Sequence, residues 1–169
     1  MKKMKPVAAF VSIALMAVVL GVNTYNSAVD TISWGTAIPD SIETARNYFR
    51  AVNPGTFMRV ASPLNQLFAI AALIISWRSG KRARLFFGIA FLMAVLAEGL
   101  TFSYFFPRND ILFSGAEANA EVLTRTWAEW SRMNWVRNLI LAIGLASSMT
   151  ALDALYRNEL TGREVVGER

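Results

Sequence analysis

Asn65, Glu98 and Arg137 stand inside segments that are otherwise almost wholly apolar. A carboxylate, a guanidinium and a carboxamide can together exchange protons and hold an anion or a carbonyl oxygen. An ionised carboxylate in lipid is costly, so Glu98 should face other helices, be paired, or be protonated. At helical spacing Ala90, Ala94, Glu98 and Thr101 share one small, partly polar face. Arg137 shares a face with Asn134, Leu141, Gly144 and Ser148, while Ser62, Asn65, Ala69, Ala72 and Ser76 form a third stripe. Such small-residue faces suit close helix packing in a membrane. Antiparallel threading brings Asn65, Glu98 and Arg137 to comparable depths. The candidate site is therefore Glu98 and Arg137, surrounded by Asn65, Gln66, Thr101, Tyr104, Asn134 and Asn138, with Asn23 as a further member.

Two readings of this cluster stand side by side. In one, a buried ion pair and hydrogen-bond network fixes helix register in a non-enzymatic accessory or scaffold protein. In the other, the cluster lines a polar pocket, open to the outer leaflet or outer face, for a hydrophobic aromatic or lipid-like molecule. A transport pathway would require a homo-oligomer or a lipid-facing groove, because the inner half of the bundle has almost no polar lining.

Composition narrows the chemistry. The chain of 169 residues is 54% hydrophobic and 17% charged, and contains neither Cys nor His. A soluble domain carries about a quarter charged residues, so the balance is that of a membrane protein forming one folding unit. Without Cys or His there is no disulfide exchange, no zinc site built on those ligands, no His-ligated haem and no His-rich diiron centre. No metal or cofactor site is expected, and any chemistry must use carboxylates, Arg, Lys, Tyr, Asn, Ser or Thr. The net charge of +5 sits at membrane-flanking positions, which points to topology rather than to nucleic acid.

The elements that must position the cluster are four apolar runs at about 7–22, 60–77, 85–106 and 135–152. Each approaches the roughly 20 residues that cross a bilayer as a helix. The fold expected is an all-α integral membrane domain, a four-transmembrane-helix bundle with spans at about 7–25, 57–77, 84–106 and 134–156. Lys2, Lys3 and Lys5 precede the first span, and Arg78, Lys81, Arg82 and Arg84 join the second to the third. By the positive-inside rule both termini are cytoplasmic. The first span lacks a small-x-small cleavage site, since Asn26 would occupy the third position before a cut after Ala28, so it is expected to be retained.

The two outer loops should each carry a short amphipathic helix, at about 41–52 and 116–133. Asp40 and Glu43 stand in capping-box spacing, and Asn53-Pro54-Gly55 should end the first. Ile42, Ala45, Tyr48/Phe49 and Val52 recur along it at helical spacing. Pro107-Arg108-Asn109-Asp110 reads as a turn opening the second loop. Trp34, Trp127, Trp130 and Trp135 should gather near the outer interface, as anchors or around the mouth of a ligand site. Asp153 and Arg157 are placed for an i,i+4 salt bridge, and 159–169 should form a short frayed tail.

Several strings together carry a resemblance: Ser33-Trp34-Gly35, Val52-Asn53-Pro54-Gly55, Ser62-Pro63-Leu64-Asn65-Gln66, Phe106-Pro107-Arg108-Asn109-Asp110 and Met133-Asn134-Trp135-Val136-Arg137. With them the chain resembles small bacterial four-helix membrane proteins of the anthrone oxygenase-like family, most of whose members have no assigned function. The resemblance covers about residues 5–157, and its best pieces are Pro63-x-Asn65 and Asn134-x-x-Arg137. It implies cofactor-free oxidation of anthrones to anthraquinones, in which a base removes a proton and the resulting carbanion meets O₂ directly. Glu98 would then be the base, and Arg137 with Asn65 or Asn134 would stabilise the developing oxyanion.

Overall fold

In a computed structural model, residues 4–114 and 119–167 are described, with side chains for 6–114 and 119–157. Helix α1 (Met4–Tyr25) passes through a π-helical turn (Asn26–Asp30) into α2 (Thr31–Trp34), followed by α3 (Asp40–Tyr48) and α4 (Pro54–Ile75). Helix α5 (Lys81–Leu100) passes through a second π-helical turn (Thr101–Phe105) into α6 (Phe106–Phe113), and α7 (Ala120–Gly167) completes the chain. There is no strand among the described residues. Four helical segments, Pro6–Trp34, Pro54–Ile75, Lys81–Phe113 and Ala120–Arg157, are long and apolar enough to span a bilayer. The protein is an all-α membrane protein.

Three buried clusters define an up-down-up-down bundle. At one end Ala9, Ala72, Ala83, Ala151 and Ala154 pack around the fully buried Phe87. That layer joins the start of α1, the end of α4, the start of α5 and the late part of α7. Met16, Val19, Ala61, Ala94, Ala97 and Leu141 fill the middle. A Cβ on Gly144 would stand 3.1 Å from both Met16 and Met93, so glycine lets α1 and α5 close onto α7. The third cluster forms a cap: Trp34, Ile42, Ala45, Phe105, Leu112, Leu123 and Trp130.

The cap revises the expected role of the tryptophans. Trp34 and Trp130 are buried edge-to-face at 5.5 Å, and Phe105 packs on Trp130 at 5.3 Å. Trp127 donates its indole N–H to the Thr31 carbonyl at 2.8 Å. Its ring lies so close to Gly35 that any side chain there would collide with it. Trp135 alone of the four is half-exposed, as an interfacial anchor would be.

Two local signals behave differently from the sequence expectation. The Asp40–Glu43 capping box does not form: Asp40 already lies within α3, and Glu43 pairs instead with Arg46 at 3.0 Å. A capping box appears at Asn53 and Thr56, so Asn53-Pro54 opens α4 with proline in its first turn, where no N–H is needed. Pro107-Arg108-Asn109-Asp110 is helical rather than a turn. Pro107 also falls in a first turn, where the preceding π-turn leaves its missing N–H without consequence. The second loop helix is continuous with the fourth span from Ala120, and residues 116–118 of its expected start lie outside those described.

Candidate functional site

Both π-turns lie at one level of the bundle, just below the cap. A π-turn inserts a residue into the helix and re-aims the side chains that follow, and such turns recur at functional sites. The first presents Ser27 toward α7, and the second presents Thr101 and Phe105 toward the same helix. All three converge on Asn134, Arg137 and Asn138.

The contacts form one connected network. Asn134 is fully buried, and its Nδ2 donates to Ser27 Oγ at 2.6 Å. Asn138, one turn further along, donates to the same oxygen at 2.9 Å. With its Nδ2 committed to Ser27, Asn134 turns Oδ1 toward Arg137 and accepts a hydrogen bond from Nη2. Thr101 donates its hydroxyl to Ala97 O at 3.0 Å and accepts from Arg137 Nη1 at 3.4 Å. The Arg137 guanidinium lies 4.0 Å from the Phe105 ring centroid, over its face.

Every partner of that guanidinium is neutral. Among the described residues no carboxylate oxygen comes within 4.0 Å of it. Glu98, half-buried on α5, interacts with Ser62 of α4 and acts on Arg137 only through space. Arg137 Nε and Asn138 Oδ1 are buried without a hydrogen-bond partner, as is Asn65 Oδ1. Two neutral acceptors and an aromatic face thus hold a guanidinium inside an apolar bundle. Its Nε keeps one donor to spare.

Of the residues expected at the site, Arg137, Asn134, Asn138 and Thr101 belong to this network, with Glu98 close enough to act on its charge. Asn65 is buried elsewhere, donating to Met16 Sδ at 3.6 Å. Gln66 is half-buried on α4. Tyr104 belongs to the cap, where its hydroxyl donates to Glu129 O at 3.3 Å and Arg108 stacks on its ring at 3.5 Å. Asn23 donates to its own helix, at Val19 O, 2.9 Å away.

Ser27 and Phe105 are the members that sequence reasoning missed. Ser27 lies beyond the apolar run of the first span, and Phe105 looks like any apolar residue of the third. The available signal was Asn134-x-x-x-Asn138, two amides on one face of a buried helix that must share a partner.

Two clefts open at the cap end. One, of about 490 Å³, is bordered by Tyr25, Asn26, Asp30, Phe49 and Asn53. The other, of about 470 Å³, runs along Asp30, Trp34, Ser41 and Tyr48. Neither is lined by Glu98 or Arg137, but the first reaches Asn26, the chain neighbour of Ser27.

The anthrone oxygenase family model matches residues 48–147 of the chain. The chain belongs to the anthrone oxygenase family. The matched stretch carries Asn65, Glu98, Thr101, Asn134, Arg137 and Asn138, and leaves Ser27 and α1 outside. No curated protein and no solved structure matches the chain.

Proposed function

We propose that the Arg137 network and Glu98 form a site for cofactor-free oxygenation of a hydrophobic aromatic substrate of the anthrone type. The observation that carries this reading is a buried guanidinium held by neutral partners, with Nε free. A cation installed only to lock helices would gain most from a direct carboxylate contact. Here the nearest carboxylate with an electrostatic effect on it, Glu98, stands off.

Glu98 takes one proton from the substrate's activated methylene, and the negative charge delocalises onto the ring oxygen, which Arg137 holds. The carbanion gives its electrons to O₂, forming a C–O bond and a peroxide that takes up a proton. Loss of water with the second methylene hydrogen leaves the carbonyl, so one O₂ yields one quinone oxygen and one water. Asn134 has given Nδ2 to Ser27 and Oδ1 to Arg137, so its part is to orient the guanidinium rather than to bind the oxyanion.

Protein reconstituted in lipid should accelerate oxygen uptake in the presence of an anthrone, with quinone absorbance rising in step. Uptake equal to that of empty vesicles would remove the oxygenase reading.

In the same reading the ends of the bundle opposite the cap, including segment 78–84, face the cytoplasm of a bacterial cell. A single cysteine introduced at Ser79, in a chain that has none, should react with an impermeant thiol reagent only after the membrane is opened. Labelling of intact cells would reverse the orientation.

A further inference from the structure

Segment 78–84 joins α4 to α5 and carries Arg78, Lys81, Arg82 and Arg84 with no Asp or Glu. Gly80, at φ 110°, makes the turn in a backbone region open to glycine, so the four cations crowd into one short link. Arg78, Lys81 and Arg82 are exposed, and Arg84 lies over the Trp77 ring at 5.1 Å.

Elsewhere among the described residues some cations have a carboxylate beside them and others, such as Arg50, Arg59 and Arg132, have none within 4.0 Å; the link differs in gathering four cations in seven residues with no acid among them. Arg46 pairs with Glu43 at 3.0 Å, Arg108 with Glu129 at 2.8 Å, and Arg157 with Asp153 at 2.8 Å. Among the described residues, none of the four link cations has a carboxylate oxygen within 4.0 Å. Among the described residues, then, their charge is open to an anionic partner.

Position identifies what that is. The link follows directly on one spanning helix and opens the next, which sets it at the depth of lipid headgroups. Trp77 is 52% exposed, as an interfacial indole is. Ile74 and Leu85, on either side of the link, are 64% and 60% exposed. Cations, an indole and an apolar wall follow in the order in which a phospholipid presents phosphate, glycerol and acyl chain.

We propose that segment 78–84 is a binding site for an anionic phospholipid, with its phosphate on Arg78, Lys81 and Arg82 and its chains along Ile74 and Leu85. Clusters of Lys and Arg next to a spanning helix attract anionic lipid in this way.

The test is native mass spectrometry of the full-length protein equilibrated with equal amounts of phosphatidylglycerol and phosphatidylcholine. Phosphatidylglycerol should be retained preferentially, and added salt should erode the preference. The double variant Lys81→Gln/Arg82→Gln should lower it by about fivefold for each cation removed. Arg125→Gln, an exposed cation near the cap, should leave it unchanged. Equal retention of the two lipids, or undiminished preference in the double variant, overturns the proposal. So does displacement of the lipid by inorganic phosphate at ordinary buffer concentration, which would make the link a site for free anions.

Discussion

Glu98→Gln is expected to lower anthrone-dependent oxygen uptake by at least about a hundredfold, the lower range of what a general base contributes. Glutamine keeps the volume of the side chain and can still interact with Ser62, but it cannot take a proton. Stability should hardly change. Glu98 makes no ion pair within 4.0 Å with Arg137, so the substitution removes a through-space attraction and, with it, the cost of a half-buried charge. Oxygen-electrode rates and thermal unfolding in detergent separate the two effects. Retained uptake rules Glu98 out as the base. Unfolding at a clearly lower temperature, in step with lost uptake, makes the residue structural.

Arg137→Met is expected to reduce uptake by about 10²- to 10³-fold, as removal of one oxyanion donor does. The stability terms oppose each other. Asn134 Oδ1 and the Thr101 hydroxyl lose their donor, and Phe105 loses its cation. Against this, a guanidinium no longer has to be held away from water without a counter-ion. Ser27→Ala is the matching control. It leaves two buried amides, Asn134 and Asn138, without their shared acceptor, at about 1–3 kcal/mol for each unsatisfied group. It should therefore destabilise the fold at least as much as Arg137→Met while costing far less activity. If Arg137→Met proves much the more destabilising of the two, the guanidinium is a strut and the oxygenase reading loses its anchor.

The spanning helices were legible from the chain because hydropathy acts locally. A run of apolar residues long enough to cross lipid must satisfy its backbone internally, whatever its neighbours do. The small-residue faces were legible for a related reason. Helical periodicity alone puts Asn65, Ala69, Ala72 and Ser76 on one side of α4, and all four are buried. The family was legible too, since the resemblance read from short strings along the chain agrees with the family match over residues 48–147.

Capping was less legible. Asp40 with Glu43 and Asn53 with Thr56 both offer side chains at the right spacing, and only the surrounding packing decides which pair serves. Arg46, tied to the Leu112 carbonyl of α6 at 2.8 Å, draws Glu43 away from the first.

By itself, then, the sequence determined a four-span helical membrane protein, its family and the helices on which polar chemistry could sit. The tertiary structure decided which of those polar groups meet. Asn65 was expected at the depth of Arg137, yet it turns to Met16, which packs at Gly144 two helical turns from Arg137, while Arg137 joins Asn134 and Thr101. Counting residues along an axis leaves out how far neighbouring helices are offset, and azimuth depends on helix rotation and on the two π-turns. Those turns exchange i+4 for i+5 hydrogen bonds as the caps pack, and nothing in the local sequence marks them. Ser27 and Phe105 enter the site through those turns, which is why only the folded chain reveals them.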